Sequence, residues 1–175
     1  MDDLIEESLC IVSGRVVDVR YDILYDTFDY RDGETPLPPE AMTVITIEVT
    51  HVFMGATEPA DKIEVYQMGG VMGQTLFSYD QMPFLADHDG EDLVLFLRTW
   101  NYSLAETTPY ALADSIGGAW LDESGNLSLL WGVVYDNKEY HPVWVDPADR
   151  KVPGAPEFPT VMTVDELKQA IAEHK

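Results

Sequence analysis

Cysteine is nearly absent from this 175-residue chain, which contains only Cys10. A single cysteine excludes an intrachain disulfide, so the fold must be held together by its core rather than by covalent cross-links. Cys10 lies in the apolar run Leu9-Cys10-Ile11-Val12, which predicts a buried run and a side chain that packs as a small hydrophobe. A catalytic thiol needs an exposed position and a neighbouring base, and the sequence around Cys10 indicates neither.

Basic residues are also scarce, with 10 Lys and Arg against 32 Asp and Glu and a formal net charge of -22. This charge excludes nucleic acid as a partner, because nucleic-acid binding draws most of its affinity from Lys and Arg contacts. It also repels anionic membranes, and no apolar run reaches the roughly 18 residues of a membrane span. Metal cations, basic peptides and neutral glycans remain as partners, and the charge also favours solubility in a salty or extracellular setting. The sequence does not indicate an oligomeric state.

Spaced motifs of known catalytic and metal sites are missing. The chain contains four histidines, His51, His88, His141 and His174. None of them has the HxH or HExxH spacing of a zinc site. There is no G-x-S-x-G motif, and Gly69, Gly70 and Gly73 lack the Lys-Ser/Thr of a phosphate-binding loop. We therefore predict no catalytic residue. A carboxylate-based hydrolase stays open, because a glycosidase needs only two acidic side chains at a fixed separation.

One local cluster of acidic oxygens surrounds a glycine, in the sequence Asp87-His88-Asp89-Gly90-Glu91-Asp92. Hard cations such as calcium prefer such ligands, so Asp87, Asp89 and Glu91 are candidate metal ligands. The distal glutamate of an EF-hand is missing, and the alternative is a solvated turn that leads into the next strand. We expect no other cofactor.

Aromatic side chains are concentrated in the second half of the chain. Exposed together, they would form a platform for a sugar or a peptide, and otherwise they pack in the core. The candidate ligand-binding residues are Trp100, Tyr102, Trp120, Trp131 and Trp144.

The distribution of β-branched residues, glycines and prolines predicts a mainly β domain. The predicted strands cover residues 9–24, 42–54, 62–68, 93–97 and 140–145, and a hairpin joins residues 118–122 to 127–134. Gly14 permits a bend or bulge in the first strand. The apolar run Leu93–Leu97 predicts a strand buried on both faces. Residues 25–40 form a long excursion, and residues 69–73 a flexible loop.

The C-terminal segment predicts an α-helix over residues 163–173. Thr163 and Glu166 have the spacing of a capping box, with Met162 and Leu167 at the positions of a hydrophobic staple. The apolar stripe on this helix consists of Val164, Leu167, Ala170 and Ile171. We therefore predict a single domain over residues 1–175, with a small β-barrel at about 9–145, an irregular Pro-rich segment at 146–160, and the helix packed on or beside the barrel.

Several short motifs stand in a familiar order. The segment Ile11–Val16 resembles an opening strand of the pattern D-x-I-V-x-G-x-V, with Leu9 in place of the acidic residue. The segment Ile47–Gly55 resembles V-x-V-x-x-V-h-K-G, with Met54 in place of lysine. The remaining elements of the order are Gly69-Gly70, Phe84, Gly90-Glu91 and the run Leu93–Leu97. Over about residues 9–135 the chain resembles poorly characterised bacterial and archaeal envelope proteins, whose domain is similar to the OB-fold of netrins and tissue metalloproteinase inhibitors.

This resemblance implies an extracytoplasmic, lipoprotein-like or secreted OB barrel without an established activity. Protease inhibition does not carry over, because those inhibitors chelate zinc through an N-terminal cysteine and this chain has none at its start. The opening Met1-Asp2-Asp3 does not read as a signal segment, so the expected location in the cell envelope or outside the cell rests on the resemblance. We expect a non-enzymatic domain that binds a protein, peptide or glycan. The alternatives are a carboxylate-based hydrolase and a calcium-stabilised structural module.

Overall fold

The computed structural model describes a mainly β chain with a helix at its C-terminal end, which confirms the predicted fold class at that level. The described residues are 2–24, 38–77, 85–88, 90–99, 110–113, 117–136, 139–144 and 162–174. The helices are α1 (Asp2–Glu7), a 3-10 helix (Leu85–His88) and α2 (Val164–Glu173). The strands are β1 (Cys10–Leu24), β2 (Glu40–Met54), β3 (Lys62–Met68), β4 (Gly70–Met72), β5 (Thr75–Phe77), β6 (Asp92–Thr99), β7 (Tyr110–Leu112), β8 (Gly118–Leu121), β9 (Asn126–Leu129), β10 (Trp131–Asp136), β11 (Glu139–Trp144) and β12 (Met162–Thr163).

Eight strands form the main sheet, in the order β1-β2-β3-β7-β6-β8-β9-β12. Neighbouring strands run antiparallel except β3 and β7, which pair in parallel at Val65 and Tyr110. The first part of β1 also pairs with β6, from Cys10 opposite Leu97 to Arg15 opposite Asp92. The pairing therefore runs from β1 through β2, β3, β7 and β6 and returns to β1.

Strand β1 is irregular at Gly14, where a bend or bulge was predicted. Its register with β2 shifts at three places, one of them between Ser13 and Gly14. A Cβ atom on Gly14 would lie 2.6 Å from the carbonyl oxygen of Glu48 and 2.6 Å from Ile47 Cγ2. Glycine is therefore required where the two strands approach so closely.

The first core lies on one face of the main sheet. Its largest fully buried members include Ile45, Ile47, Leu93, Leu95 and Leu97. The 3-10 helix adds Leu85, which is fully buried and whose backbone N–H donates a 2.9 Å hydrogen bond to Gln67 Oε1. This contact anchors the connection between β5 and β6 to the core.

The second core lies on the opposite face of β1, β6 and β8, beneath the two helices. Helix α1 contributes Leu4 and Ile5, and helix α2 contributes Leu167 and Ile171. Strand β6 serves both cores, since Val94 and Phe96 belong to the second while Leu93, Leu95 and Leu97 belong to the first. All five residues are 0% exposed, which confirms the predicted strand buried on both faces.

Helix α2 begins with the predicted capping box. The backbone N–H of Glu166 donates to Thr163 Oγ1 at 3.2 Å, and the backbone N–H of Thr163 donates to Glu166 Oε2 at 2.7 Å. The buried Leu167 and Ile171 confirm the apolar stripe. Within the described residues, no helix has the length and apolar character needed to cross a membrane.

Three local predictions are wrong. Leu9 is 61% exposed rather than buried, because it lies at the bend between α1 and β1, where the chain turns from the helix into the strand. The segment 69–73 is not a loop: Gly70–Met72 forms β4, which pairs with β5 across the two-residue turn Gly73-Gln74. The second strand of the predicted hairpin ends at Leu129, and the following residues form β10, which pairs with β11 in a separate two-stranded sheet. The predicted excursion falls mostly outside the described residues, as does the Pro-rich segment 146–160.

Candidate functional site

An open cleft of about 280 Å³ lies where the start of β6 meets the β8–β9 hairpin. We call it the acidic cleft, because three of its lining residues are carboxylates. Its lining residues are Glu91, Asp92, Trp120, Leu121, Asp122, Asn126 and Ser128. The β8–β9 hairpin therefore supplies most of the lining, and the segment that enters β6 supplies two of the acids.

Trp120 forms the inner wall of the acidic cleft. It lies in β8, opposite Leu93 of β6 and Ser128 of β9, and its side chain is only 4% exposed because it packs into the first core. Its indole N–H donates a 2.7 Å hydrogen bond to Glu91 Oε2. A rigid, buried ring thus orients the Glu91 carboxylate.

Asp92 is oriented from the neighbouring strand. Arg15 lies opposite it in the β1–β6 register, and its Nε and a terminal guanidinium nitrogen donate to the two carboxylate oxygens of Asp92 at 2.6 and 2.7 Å. This hydrogen-bonded guanidinium lowers the pKa of Asp92. The pair is partly exposed to solvent, so it orients the carboxylate more than it stabilises the fold.

Asp122 organises the turn of the β8–β9 hairpin. Its Oδ1 accepts 2.8 Å hydrogen bonds from the backbone N–H groups of Ser124 and Asn126, and its Oδ2 accepts one at 2.9 Å from Asn126 Nδ2. These hydrogen bonds lower the pKa of Asp122, and the largest contribution comes from the backbone N–H of Asn126. The turn is completed by Gly125, whose φ of 81° suits glycine.

The charge state of the acidic cleft follows from these contacts. Because their pKa values are lowered, Asp92 and Asp122 are ionised at neutral pH. A general acid for glycoside hydrolysis needs the opposite, a carboxyl group whose pKa is raised. Asp92 and Asp122 therefore suit attraction of a cation better than proton donation.

The predicted calcium ligands fall only partly within the described residues. The backbone of Asp87 lies in the 3-10 helix, its side chain is outside the described part, and so is the whole of Asp89. Glu91 lines the acidic cleft. Among the side chains that the structure describes, no group of three or more His, Cys, Asp or Glu is placed to hold a metal ion. The calcium site stays a prediction.

The predicted aromatic platform is likewise described only in part. Trp100 and Tyr102 lie outside the described residues. Trp131 of β10 stands opposite Trp144 of β11 in the backbone register, and the structure does not describe their side chains. Trp120 is the member whose surroundings are known, and its ring is buried.

Sequence reasoning missed Arg15, Asp122 and Asn126 as residues of this site. A local signal existed for Asp122, because an aspartate before a Ser-Gly-Asn turn commonly accepts hydrogen bonds from the backbone that follows. No local signal existed for Arg15, which is 77 residues away from its partner Asp92 in the chain.

The lone cysteine has the structural role expected from its apolar run. Cys10 is 1% exposed, and its Sγ lies 3.5 Å from Thr57 Oγ1. Burial raises the pKa of its thiol, which disfavours the reactive thiolate.

Comparisons with protein-family models, with curated proteins and with solved structures find no match to this chain.

Proposed function

We propose that this protein is a non-enzymatic binding domain whose acidic cleft receives a cationic group, an ammonium or guanidinium, of a protein or peptide ligand. The observation that carries the proposal is the set of three carboxylates, each oriented by its own hydrogen bonds, around one open cleft. Prior orientation matters because less side-chain freedom is lost when the ligand binds.

The electrostatics of the whole chain support a cationic ligand. A net charge of -22 attracts cations over distances of about a Debye length, roughly 8–10 Å at physiological salt. Arg15 offsets the charge of Asp92, whereas the donors to Asp122 are the uncharged N–H groups of its own turn. The cleft therefore has negative charge left for a ligand, and charge-assisted hydrogen bonds to a guanidinium are among the stronger polar contacts in proteins.

The proposed scaffold is an OB-like barrel made of β1, β2, β3, β7 and β6. Three features support it: the pairing circuit that returns to β1, the parallel β3–β7 pair, and the 3-10 helix that inserts Leu85 into the first core. OB-fold barrels commonly bind ligands on a sheet face and its adjoining loops. The resemblance of the sequence to envelope proteins leads us to propose an extracytoplasmic location as well.

Calorimetric titration with short blocked peptides tests the proposed ligand class. A peptide with one central arginine is compared with the same peptide carrying citrulline, which keeps the shape of arginine but lacks its charge. We expect the arginine peptide to bind and the citrulline peptide to bind at least tenfold more weakly, since a charge-assisted hydrogen bond contributes about 1.5–3 kcal/mol.

Two variants distinguish the acidic cleft from the general negative charge of the surface. Glu91→Gln keeps an oxygen acceptor for the Trp120 indole and removes a cleft charge. Glu58→Gln, at an exposed position between β2 and β3, removes the same charge outside the cleft. We expect the first variant to weaken arginine-peptide binding severalfold and the second to leave it nearly unchanged. Equal effects of the two variants would contradict the proposed site, and glycoside turnover abolished by Glu91→Gln would favour the hydrolase alternative.

A further inference from the structure

A second surface, formed by the β4–β5 hairpin and Tyr21 of β1, presents apolar side chains to solvent. We call it the hairpin patch. Its members are Tyr21, Val71, Leu76 and Phe77, which are 48%, 36%, 65% and 41% exposed. The hairpin is seated on the main sheet through Gly70, where a Cβ atom would lie 3.0 Å from the Tyr21 ring and 2.7 Å from Thr43 Oγ1. The patch shares no residue with the acidic cleft.

Strand β5 lies at the edge of the two-stranded sheet that it forms with β4. It pairs with β4 on one side, and within the described ranges no strand pairs with its other side. Proteins usually protect such edges with charged residues, proline or a bulge, because free backbone groups recruit other strands. The segment Gly69–Phe77 contains neither a charged residue nor a proline.

The hairpin geometry identifies which backbone groups face outward. The two-residue turn Gly73-Gln74 places Met72 opposite Thr75, and that pair exchanges both hydrogen bonds in an antiparallel hairpin. The next pair, Val71 and Leu76, is then a non-hydrogen-bonded pair. The N–H and C=O of Leu76 therefore point away from β4, toward a strand that would add to the edge.

Charge decides what kind of strand fits. The alternation of side chains along β1 places Asp18, Arg20 and Asp22 on the face opposite Tyr21, so the charge that acts on the hairpin patch is the net charge of the whole chain. A second copy of the chain would bring a formal charge of -22 against an equal charge. The four partly exposed side chains of the hairpin patch also offer far less surface area than the roughly 800 Å² that each partner of a stable protein dimer buries.

We propose that the outer edge of β5 binds an extended, Lys- or Arg-rich segment of another protein by β-strand addition. The backbone of Leu76 supplies the hydrogen bonds, while the hairpin patch receives the apolar side chains of the added strand. The net negative charge of the chain favours cationic strands and repels further copies of this chain.

The probe is a blocked heptapeptide of alternating lysine and valine, with a lysine–glycine heptapeptide of the same charge as the control. We expect the lysine–valine peptide to bind at least fivefold more tightly, because valine favours the extended conformation and buries apolar surface. N-methylation of the lysine–valine peptide at alternate residues blocks strand addition without changing its charge and should abolish the difference. Equal binding of all three peptides would show charge attraction alone and overturn the proposal.

Matched substitutions at Leu76 test the backbone contact. Leu76→Ala removes the side chain, and Leu76→Pro additionally removes the outward N–H, at an edge position that tolerates proline. We expect Leu76→Pro to bind the lysine–valine peptide about fivefold more weakly than Leu76→Ala, which is the effect of one lost hydrogen bond. Binding that responds to Glu91→Gln but not to either Leu76 variant would place the peptide in the acidic cleft and refute strand addition. Sedimentation at high salt, which screens the repulsion between copies, measures the oligomeric state of the protein. A dimer that forms in the wild type but not in Leu76→Pro would show that a second copy of the chain occupies the edge, and it would overturn the proposal.

Discussion

Replacing Gly14 with alanine tests whether β1 and β2 must approach as closely as the structure shows. The new Cβ atom would lie 2.6 Å from both the Glu48 carbonyl oxygen and Ile47 Cγ2, well inside ordinary contact distances of 3.4–4 Å. The carbonyl oxygen is part of the β2 backbone, so relief of the contact requires the two strands to separate locally. Overpacking of this kind costs up to about 3 kcal/mol, and the loss of chain entropy in the unfolded state offsets roughly 0.4–1 kcal/mol of it.

We therefore expect Gly14→Ala to lower the free energy of unfolding by about 2 kcal/mol, which corresponds to roughly 4–8 °C in Tm for a chain of this size. Urea denaturation followed by circular dichroism measures both the midpoint and the slope. The control is Gly125→Ala, where φ is 81° but no atom lies within 4 Å, so only a backbone strain of about 1–2 kcal/mol is expected. A free energy of unfolding within about 0.5 kcal/mol of the wild-type value would be typical of a neutral surface change. That result would show that the close approach at Gly14 is not required, and it would refute the reasoning.

Four further predictions address the helix cap, the Arg15–Asp92 pair, calcium and backbone strain. Thr163→Ala should lower the free energy of unfolding by about 1 kcal/mol through loss of the cap of α2, whereas Thr163→Ser should preserve it in the same thermal melts. Because Arg15 lowers the pKa of Asp92 in the folded state, the stability advantage of the wild type over Asp92→Asn should be complete above about pH 4 and lost as the pH falls further. Urea midpoints at pH 7, 5 and 3 measure that difference, and an advantage that grows on acidification would contradict the assigned pair. Calcium should raise Tm no more than magnesium at equal concentration, because both ions screen the net charge of -22 alike, and a calcium-specific rise abolished by chelator would favour the calcium-stabilised module. Ala60 has a φ of 71°, so Ala60→Gly should raise the free energy of unfolding by about 0.5–1 kcal/mol, and an unchanged melting point would show that the strain is absent.

The parts of the fold that local sequence determines were predictable. The β6 run is uniformly apolar over Leu93–Leu97, and a strand with that pattern requires cover on both faces wherever it lies in the sheet. The capping box of α2 depends on residues three apart, so Thr163 and Glu166 indicate the start of the helix without any knowledge of the rest of the chain.

The β4–β5 hairpin could not be predicted in the same way. Its glycines are typical of loops, and the strand forms because Gly70 fits against Tyr21 and Thr43, which are distant in sequence. Leu9 shows the reverse effect: its neighbours are buried, yet the strand begins one residue later and leaves it exposed.

The acidic cleft depends on contacts across long sequence separations. Glu91 lies 29 residues from Trp120, and Arg15 lies 77 residues from Asp92. With 32 acidic residues in the chain, composition cannot select the three that meet. Only the register of β1, β6 and β8 brings them together.

The burial of both faces of β6 has a consequence for how the protein unfolds. Because alternate side chains of this strand belong to the two cores, removal of β6 from the sheet would open both cores at once. We expect the β6 amides to exchange with deuterium only through global unfolding, at the slowest rates among the described strands, whereas the β4–β5 hairpin exchanges through local fluctuations. The two surfaces proposed to bind ligands would then differ in rigidity, since the acidic cleft takes Asp92 from the slowest-exchanging strand, whereas the hairpin patch lies on a segment that opens independently of it.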